Sequence, residues 1–307
     1  MKEYAIGIDI GGTNFRIGMV SQDRKVENFR KKSSAILTEG DSVSALAGEI
    51  RAYMEEFGVQ DKIAAVAIGL PSIVSKDRKF IYSTPNLKGF DNINLADPLS
   101  KELGTPVFVD RDVNFLLQND ILQCGLDATK TILGFYIGTG FGNAIYIQGK
   151  FYRGKNGVAG ELGHTPLYGL DEQCSCGNYG CAEVRCSGKY LEKLTNECFP
   201  GTKISEVFVK HKDDPRIIGY VKNLSIPIAT EVNILDPDCI IIAGGVVFME
   251  GFPKDILLDA LKAHLRKPYP YNNLEILFTE HTQQSGVLGS GDFARRAAEN
   301  QVDTQKA

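Results

Sequence analysis

The chain has 307 residues, 43% of them hydrophobic and 23% charged, with a formal net charge of −4 at pH 7. That length suggests about two domains with sizeable cores. The slightly acidic balance excludes the basic footprint that a nucleic-acid partner requires, and no apolar run approaches the roughly 20 residues of a membrane helix. The chain opens Met1-Lys2-Glu3-Tyr4 with no long apolar stretch behind it, so its seven cysteines are expected to be reduced, in a soluble protein of the cytoplasm.

Tyr4 to Ile10 is an apolar run interrupted by Asp9, followed by Gly11-Gly12-Thr13-Asn14 and a second strand from Phe15 to Val20. The glycines let backbone N–H groups approach a ligand, Thr13 adds a hydroxyl, and Asp9 sets a carboxylate at the strand end. These parts suit a polyphosphate and its Mg²⁺, although a glycine hairpin after a buried Asp is also a common structural feature. Val43, Leu46, Ala47, Ile50, Tyr53, Met54 and Phe57 fall at helical spacing before Gly58. Ile63 to Leu70 reads as a buried parallel strand ending at Pro71. Ser75 to Lys79 is a charged turn, expected as a solvated hairpin tip, and Thr84-Pro85-Asn86-Leu87 a rigid polar loop. Asn86 there can be a sugar contact or simply a turn asparagine. A strand from Pro106 to Val109 runs into Asp110-Arg111-Asp112-Val113-Asn114 and an apolar helix. Ligands in wound sheets lie beyond the carboxyl ends of strands, which makes Asp112 a candidate general base; the alternative is a helix N-cap.

Thr131 to Ile137, Gly138-Thr139-Gly140-Phe141-Gly142 and Asn143 to Ile147 repeat the strand, glycine turn, strand unit. Two such loops suggest two related lobes closing on one nucleotide. GxxxxGK[ST] and a GxGxxG after a strand are both missing, so neither a P-loop nor a Rossmann site is supported. Next, Gly157 to Glu183 gathers His164, Cys174, Cys176 and Cys181, a ligand set for a closed tetrahedral Zn²⁺ that holds structure and leaves no metal-bound water. Glu161 and Glu183 flank it, and carboxylates held in place there suit sugar hydroxyls. Ser187 to Cys198 and the pattern from Ile217 to Leu235 read as helices. Ile240 to Ala243 is a strand leading to Gly244-Gly245, where backbone can approach adenine or merely turn into a helix. Gly286, Gly289 and Gly291 mark a last helix able to pack closely on the first lobe.

DIGGTN at 9–14, GTGFG at 138–142, GVAGELGH at 157–164, CSCGNYGCAE at 174–183 and AGGV at 243–246 resemble the ROK family of bacterial sugar kinases and repressors along nearly the whole chain. The resemblance implies a duplicated α/β fold of the actin-like, hexokinase type (ribonuclease H-like). Its small lobe is expected over 1–117, joined by a helix at about 286–300, and its large lobe over 118–285. It further implies Asp112 as base and Glu161, His164 and Glu183 as sugar contacts, with His164 also a zinc ligand. Gly69, Pro71 and Asn86 then belong to sugar-side loops, and a homodimer is expected. Two positions depart from the pattern: Arg111 stands where Asn is usual, and Asn14 where Lys is usual. VSKD at 74–77, STPNL at 83–87 and RDVN at 111–114 are similar to the family's allose kinases.

The expected activity is therefore ATP-dependent phosphorylation of the 6-hydroxyl of an aldohexose, D-allose first, with glucose, fructose or N-acetylmannosamine as alternatives. A non-catalytic sugar-sensing regulator is the rival from another class. Such a regulator needs a DNA-reading helix-turn-helix, usually before the first glycine loop; with eight residues ahead of Asp9 and an acidic chain, it is expected to be the weaker reading.

Overall fold

A computed structural model describes residues 2–38, 40–85 and 87–304. In chain order the strands are β1 Tyr4–Ile10, β2 Asn14–Val20, β3 Val26–Ser33, β4 Ile63–Leu70, β5 Ile73–Val74, β6 Phe80–Ser83, β7 Ile93–Asn94, β8 Val107–Arg111, β9 Thr131–Ile137, β10 Phe141–Ile147, β11 Lys150–Phe151, β12 Cys239–Ala243 and β13 Glu275–Thr279. The helices are α1 Ser42–Phe57, α2 Ala96–Leu103, α3 Asp112–Gln123, α4 Glu183–Cys186, α5 Gly188–Cys198, α6 Val207–His211, α7 Pro215–Leu235, α8 Lys254–His264 and α9 Ser285–Thr304. No helix among the described residues is long and apolar enough to cross a membrane.

The chain forms two compact units. The first takes in the chain up to Leu126, the short segment Arg153–Ala159 and the stretch from Thr282 onward; the second takes in Asp127–Tyr152 and Gly160–His281. Each is built on a five-stranded mixed sheet, ordered β3-β2-β1-β4-β8 in the first and β11-β10-β9-β12-β13 in the second. In both, an antiparallel meander gives way to parallel strands at the sheet centre: β1 pairs antiparallel with β2 and parallel with β4, and β9 pairs antiparallel with β10 and parallel with β12. The glycine turns at 11–13 and 138–140 thus occupy the same topological position, between the first and second strands of each sheet. This is the internal repeat that the two glycine motifs point to.

The parallel strands are apolar throughout because both of their faces are covered. In the first unit Ile6, Ile8, Ile68 and Val109 pack with Leu46, Ile50 and Met54 of α1. The opposite face is lined by Ala5, Ala65 and Ala67, small enough for Phe115 and Ala294 to pack on it. Here α9 approaches very closely. A Cβ at Gly7 would fall 1.9 Å from the Val287 carbonyl oxygen, and one at Gly289 would fall 1.9 Å from that of Phe115. In the second unit α7 supplies Ile217, Val221, Leu224, Ile228 and Val232 to a core with Leu133, Phe135, Ile240 and Ile242.

One expectation needs correction. The tip between β5 and β6 is a hairpin turn but is not wholly solvated, because Arg78, at φ 62°, folds back. Its guanidinium carbon stands 4.6 Å from the centre of the Phe293 ring and 5.7 Å from that of Phe108. A guanidinium is weakly hydrated and stacks on rings, so it tolerates a place that an ammonium would avoid.

Candidate functional site

In the first unit, Asp9 is the next-to-last residue of β1. Arg16 Nη1 donates to its Oδ2 at 2.8 Å. Burial pushes the Asp9 carboxyl up from its ordinary range, and Arg16 only partly opposes this. The Gly11 N–H donates across the turn to the Asn14 carbonyl at 2.8 Å. A Cβ at Gly11 would have nothing nearer than that oxygen, 4.0 Å away, so packing does not demand glycine there. A cavity of about 270 Å³ opens beside the turn, lined by Gly12, Thr13, Ser33, Ser34, Thr38 and Lys88 among others.

At the carboxyl end of the same sheet, Gly69 of β4 lies in register with Asp110 of β8, and Leu70 with Arg111. Asp112 is the first residue of α3, and Arg111, in extended conformation, is the N-cap. Asp112 is therefore not the cap; its Oδ1 accepts from the Val113 N–H at 2.8 Å. A Cβ at Gly69 would lie 3.0 Å from the Phe115 ring and 3.4 Å from Asp112 Cα. Here Gly69 acts through packing, by letting the first turn of α3 stand against β4, and Pro71 ends the strand's run. Arg111 is buried, 7% exposed, and its Nη1 donates to the Ala159 carbonyl at 2.7 Å. Arg153, not Arg111, pairs with the Asp110 carboxylate. Burial lowers the Arg78 pKa, the Arg153 charge adds to that effect, and Asp110 opposes it. Asn86, expected on a sugar-side loop, lies outside the described residues.

In the second unit the turn after β9 is tied down on both sides. The Gly188 and Lys189 N–H groups donate to the carbonyls of Gly138 and Thr139 at 2.7 and 3.1 Å. Glu183 Oε2 accepts from the Phe141 N–H at 2.9 Å, and a Cβ at Gly140 would fall 2.5 Å from that oxygen. Glu183 thus braces the turn, a contact across 42 positions that no local motif announces. Gly244, at φ 103°, is required by its backbone and by the Ile137 carbonyl, 2.4 Å from where a Cβ would be. Gly138 and Gly245 have open space in place of a side chain. That is the room a phosphate or a flat base needs against the backbone, so these turns fit a nucleotide.

Glu161 precedes the helical turn Leu162–His164, and the His164 N–H donates to the Glu161 carbonyl at 3.0 Å. The two nitrogens of His164 face different ways. Nδ1 is 3.6 Å from Cys174 Sγ, and Nε2 is 3.8 Å from Glu161 Oε2. Gly177, at φ 93°, lets the chain double back: the Cys174 N–H donates to the Asn178 carbonyl, and Pro166 bridges to Cys181. The ligand atoms of His164, Cys174, Cys176 and Cys181 all lie within 4.8 Å of one another, with Cys176 and Cys181 sulfurs 3.7 Å apart. A tetrahedral zinc with Zn–S of about 2.3 Å separates its ligands by about 3.8 Å, so the four residues fit the ion. Without a cation, burial and the crowding of neighbouring thiols push Cys181 up to about 12. A divalent ion between them reverses this by binding the thiolate forms.

The duplicated mixed sheets, each with a glycine turn between its first two strands, define the actin-like, hexokinase-type α/β fold. The ROK family model matches residues 5–297, and the chain belongs to that family. The N-acetyl-D-glucosamine kinase of Aliivibrio salmonicida is 29% identical over 92% of this chain and 97% of its own. The ROK family glucokinase of Streptomyces griseus, solved with glucose and AMPPNP, superposes with a TM-score of 0.77 at 24% identity, covering 95% of this chain and 99% of the other. A ROK family transcriptional regulator, a homolog of the E. coli MLC protein, gives a TM-score of 0.84 at 20% identity, covering 97% of this chain and 79% of the regulator.

Proposed function

We propose that the protein is an ATP-dependent, hexokinase-type kinase that transfers the γ-phosphoryl group to the 6-hydroxyl of an aldohexose. The observation that carries this reading is the seat of Asp112: a carboxylate on the first turn of α3, at the carboxyl end of the parallel strands, where Gly69 lets that turn stand against β4. The kinase relatives in the same family support it. Asp112 accepts the hydroxyl proton as the 6-oxygen attacks phosphorus. Glu161 and Glu183 accept from other sugar hydroxyls, Glu183 with Oε1, since Oε2 serves Phe141. His164, Cys174, Cys176 and Cys181 would hold the zinc, and a His164 that gave Nδ1 to it would keep its ring proton on Nε2, from which it could donate to a sugar oxygen. Phosphoryl transfer asks the protein mainly for positioning and electrostatics. Gly11, Gly12, Thr13 and Asn14, together with Gly138, Thr139 and Gly140, would hold the phosphates, and Gly244 and Gly245 the adenosine side. Mg²⁺ neutralises phosphate charge when bound with the nucleotide; Asp9 would meet it with Oδ1, because Oδ2 accepts from Arg16.

D-allose is the hexose we assign first, on the similarity of VSKD, STPNL and RDVN and on the all-donor chemistry of Arg111. The protein is read as a cytoplasmic homodimer. The test is ADP release from ATP by the purified protein with allose, glucose, fructose, N-acetylglucosamine and N-acetylmannosamine, with the phosphate located by NMR. Sugar-dependent turnover, fastest with allose, is expected. Faster turnover with glucose or N-acetylglucosamine reassigns the substrate, and sugar binding without any turnover favours the regulator.

A further inference from the structure

Asp110, the residue before the arginine, is not among the family's implied site residues, yet the local structure converges on it. It is 2% exposed, and both oxygens are engaged. Oδ1 accepts from the Arg111 N–H at 2.9 Å and from Asn114 Nδ2 at 2.7 Å, and Oδ2 accepts from Arg153 Nη2. The first bond fixes the chain direction where strand becomes helix, and the second ties the first turn of α3 to the same carboxylate. Asp112 lies between those two anchor points, so its carboxylate stands on a bracket set by Asp110.

Arg153 reaches this bracket from the short segment 153–159. At the other end of that segment the Ala159 carbonyl accepts from Arg111 Nη1. Between the ends, Gly157 lies flush on β5: a Cβ there would fall 1.8 Å from the Val74 carbonyl oxygen. The two residues that clasp the segment, Asp110 and Arg111, are the two that precede the base. The cations facing Asp110 are Arg153 from the segment and Arg78 from the β5–β6 turn, while Arg111 gives it its backbone N–H and turns Nη1 to Ala159. A buried carboxylate needs an opposite charge beside it, and Arg153 supplies one.

We propose that Asp110 and Arg153 are positioning residues for phosphoryl transfer, an ion pair that orients Asp112 and, through the clasped segment, holds the Arg111 guanidinium in place. This rests on the kinase reading. An ion pair that served folding alone would change only stability, so the test reads the pH profile of kcat/KM in Asp110→Asn, Arg153→Gln and the double variant. Asparagine keeps an acceptor for Arg111 and Asn114 but removes the negative charge beside Arg153, which favours ionised Asp112 and moves the acid limb to lower pH. Arg153→Gln removes the positive charge paired with Asp110 and moves the limb to higher pH. Shifts of about one pH unit in opposite directions are expected. We further expect kcat lowered about 10- to 100-fold by the displaced base, and the acid limb restored in the double variant, where two amides face each other. Arg153→Lys, which keeps the charge but loses the fork geometry, should hold the wild-type limb with reduced kcat; it serves if the neutral variants fold poorly. Single variants that lower the melting temperature while leaving kcat and the acid limb unchanged, or that shift the limb in the same direction, overturn the proposal. Such a result in an active wild type leaves the kinase reading standing, whereas a wild type that phosphorylates no hexose sinks both.

Discussion

Replacing Cys176 with serine removes one of the four candidate zinc ligands from a segment that has few other contacts to hold it. From Thr165 to Ala182 the chain buries the two cysteines Cys174 and Cys181 but leaves Tyr168 and Tyr179 at 107% and 64% exposure. Its backbone bonds, such as the Leu167 N–H to the Gly180 carbonyl and the Gly180 N–H to the Glu172 carbonyl, are worth about 1 kcal/mol each. Ordering the backbone costs about 1–2 kcal/mol for every residue, so these bonds alone do not close the loop. A structural zinc supplies about 10–16 kcal/mol in comparable sites, far more than any one of these bonds. The core around Leu133, Phe135, Val221 and Ile240 does not depend on the segment, so Cys176→Ser should keep its far-UV circular dichroism. Chymotrypsin should then cut at Tyr168 and Tyr179, which resist in the wild type, and hexose affinity should fall about 10- to 100-fold as His164 loses its orientation. Elemental analysis of protein purified without chelators should find about one zinc per chain. Wild type devoid of zinc, or a variant that resists chymotrypsin as the wild type does, would refute the reasoning.

Asp112→Asn should fold normally and bind hexose while kcat drops about 10²- to 10⁴-fold; near-normal turnover would remove it from the base's role. Arg111→Asn should move the kcat/KM ratio of allose to glucose by about 1–3 kcal/mol if the guanidinium reads the sugar, and leave it unchanged if its only task is to hold Ala159. Gly289→Ala drives a methyl into the Phe115 carbonyl and should cost about 1–3 kcal/mol in chemical denaturation, whereas Gly48→Ala, in the interior of α1 with nothing within 4 Å, should stabilise by about 0.5–1 kcal/mol. Burial pushes Glu231 up to about 7, while Asn143 Nδ2 donates to it at 2.7 Å. The folded state therefore binds the proton more tightly than the unfolded one, and its stability falls as pH rises from the ordinary carboxylate range through about 7. Glu231→Gln should flatten that slope and gain about 3 kcal/mol at pH 8, measured by urea unfolding; a parallel pH dependence would show that Glu231 is not the titrating group.

Much of the frame was readable because glycine and apolar runs mark it directly. Both glycine turns, β4, β8, β12 and the long α7 follow from composition over a few residues, and the four residues that could hold a metal lie within one short stretch. β3 was missed because VENFRKKS is a sheet edge with no alternation to read: its charged residues, Arg30, Lys31 and Lys32 among them, face solvent and guard the open edge. β13 and α8 are short elements whose apolar faces make sense only against β12 and α7. The electrostatics of the site were the least legible. Asp110 at the end of a buried strand signals that a partner must exist, yet Arg153 stands 43 positions further on. Arg16, which shares Asp9, is seven positions away, but a strand pattern alone does not say that it folds back across the hairpin.

The close approach of α9 to β1 has a consequence for how the polypeptide is made. β1 leaves the ribosome long before the helix that covers its glycine face, with Val287 against Gly7 and Ala294 beside Ala5. The second unit, which ends at His281, is complete before α9 emerges. Translation therefore gives the second unit a head start, while the first sheet waits with its alanine-lined face bare until α9 has been made. During that interval the nascent chain offers a flat, small-residue surface of the kind that holdase chaperones shield, and a premature stop before Ser285 would leave that surface permanently uncovered.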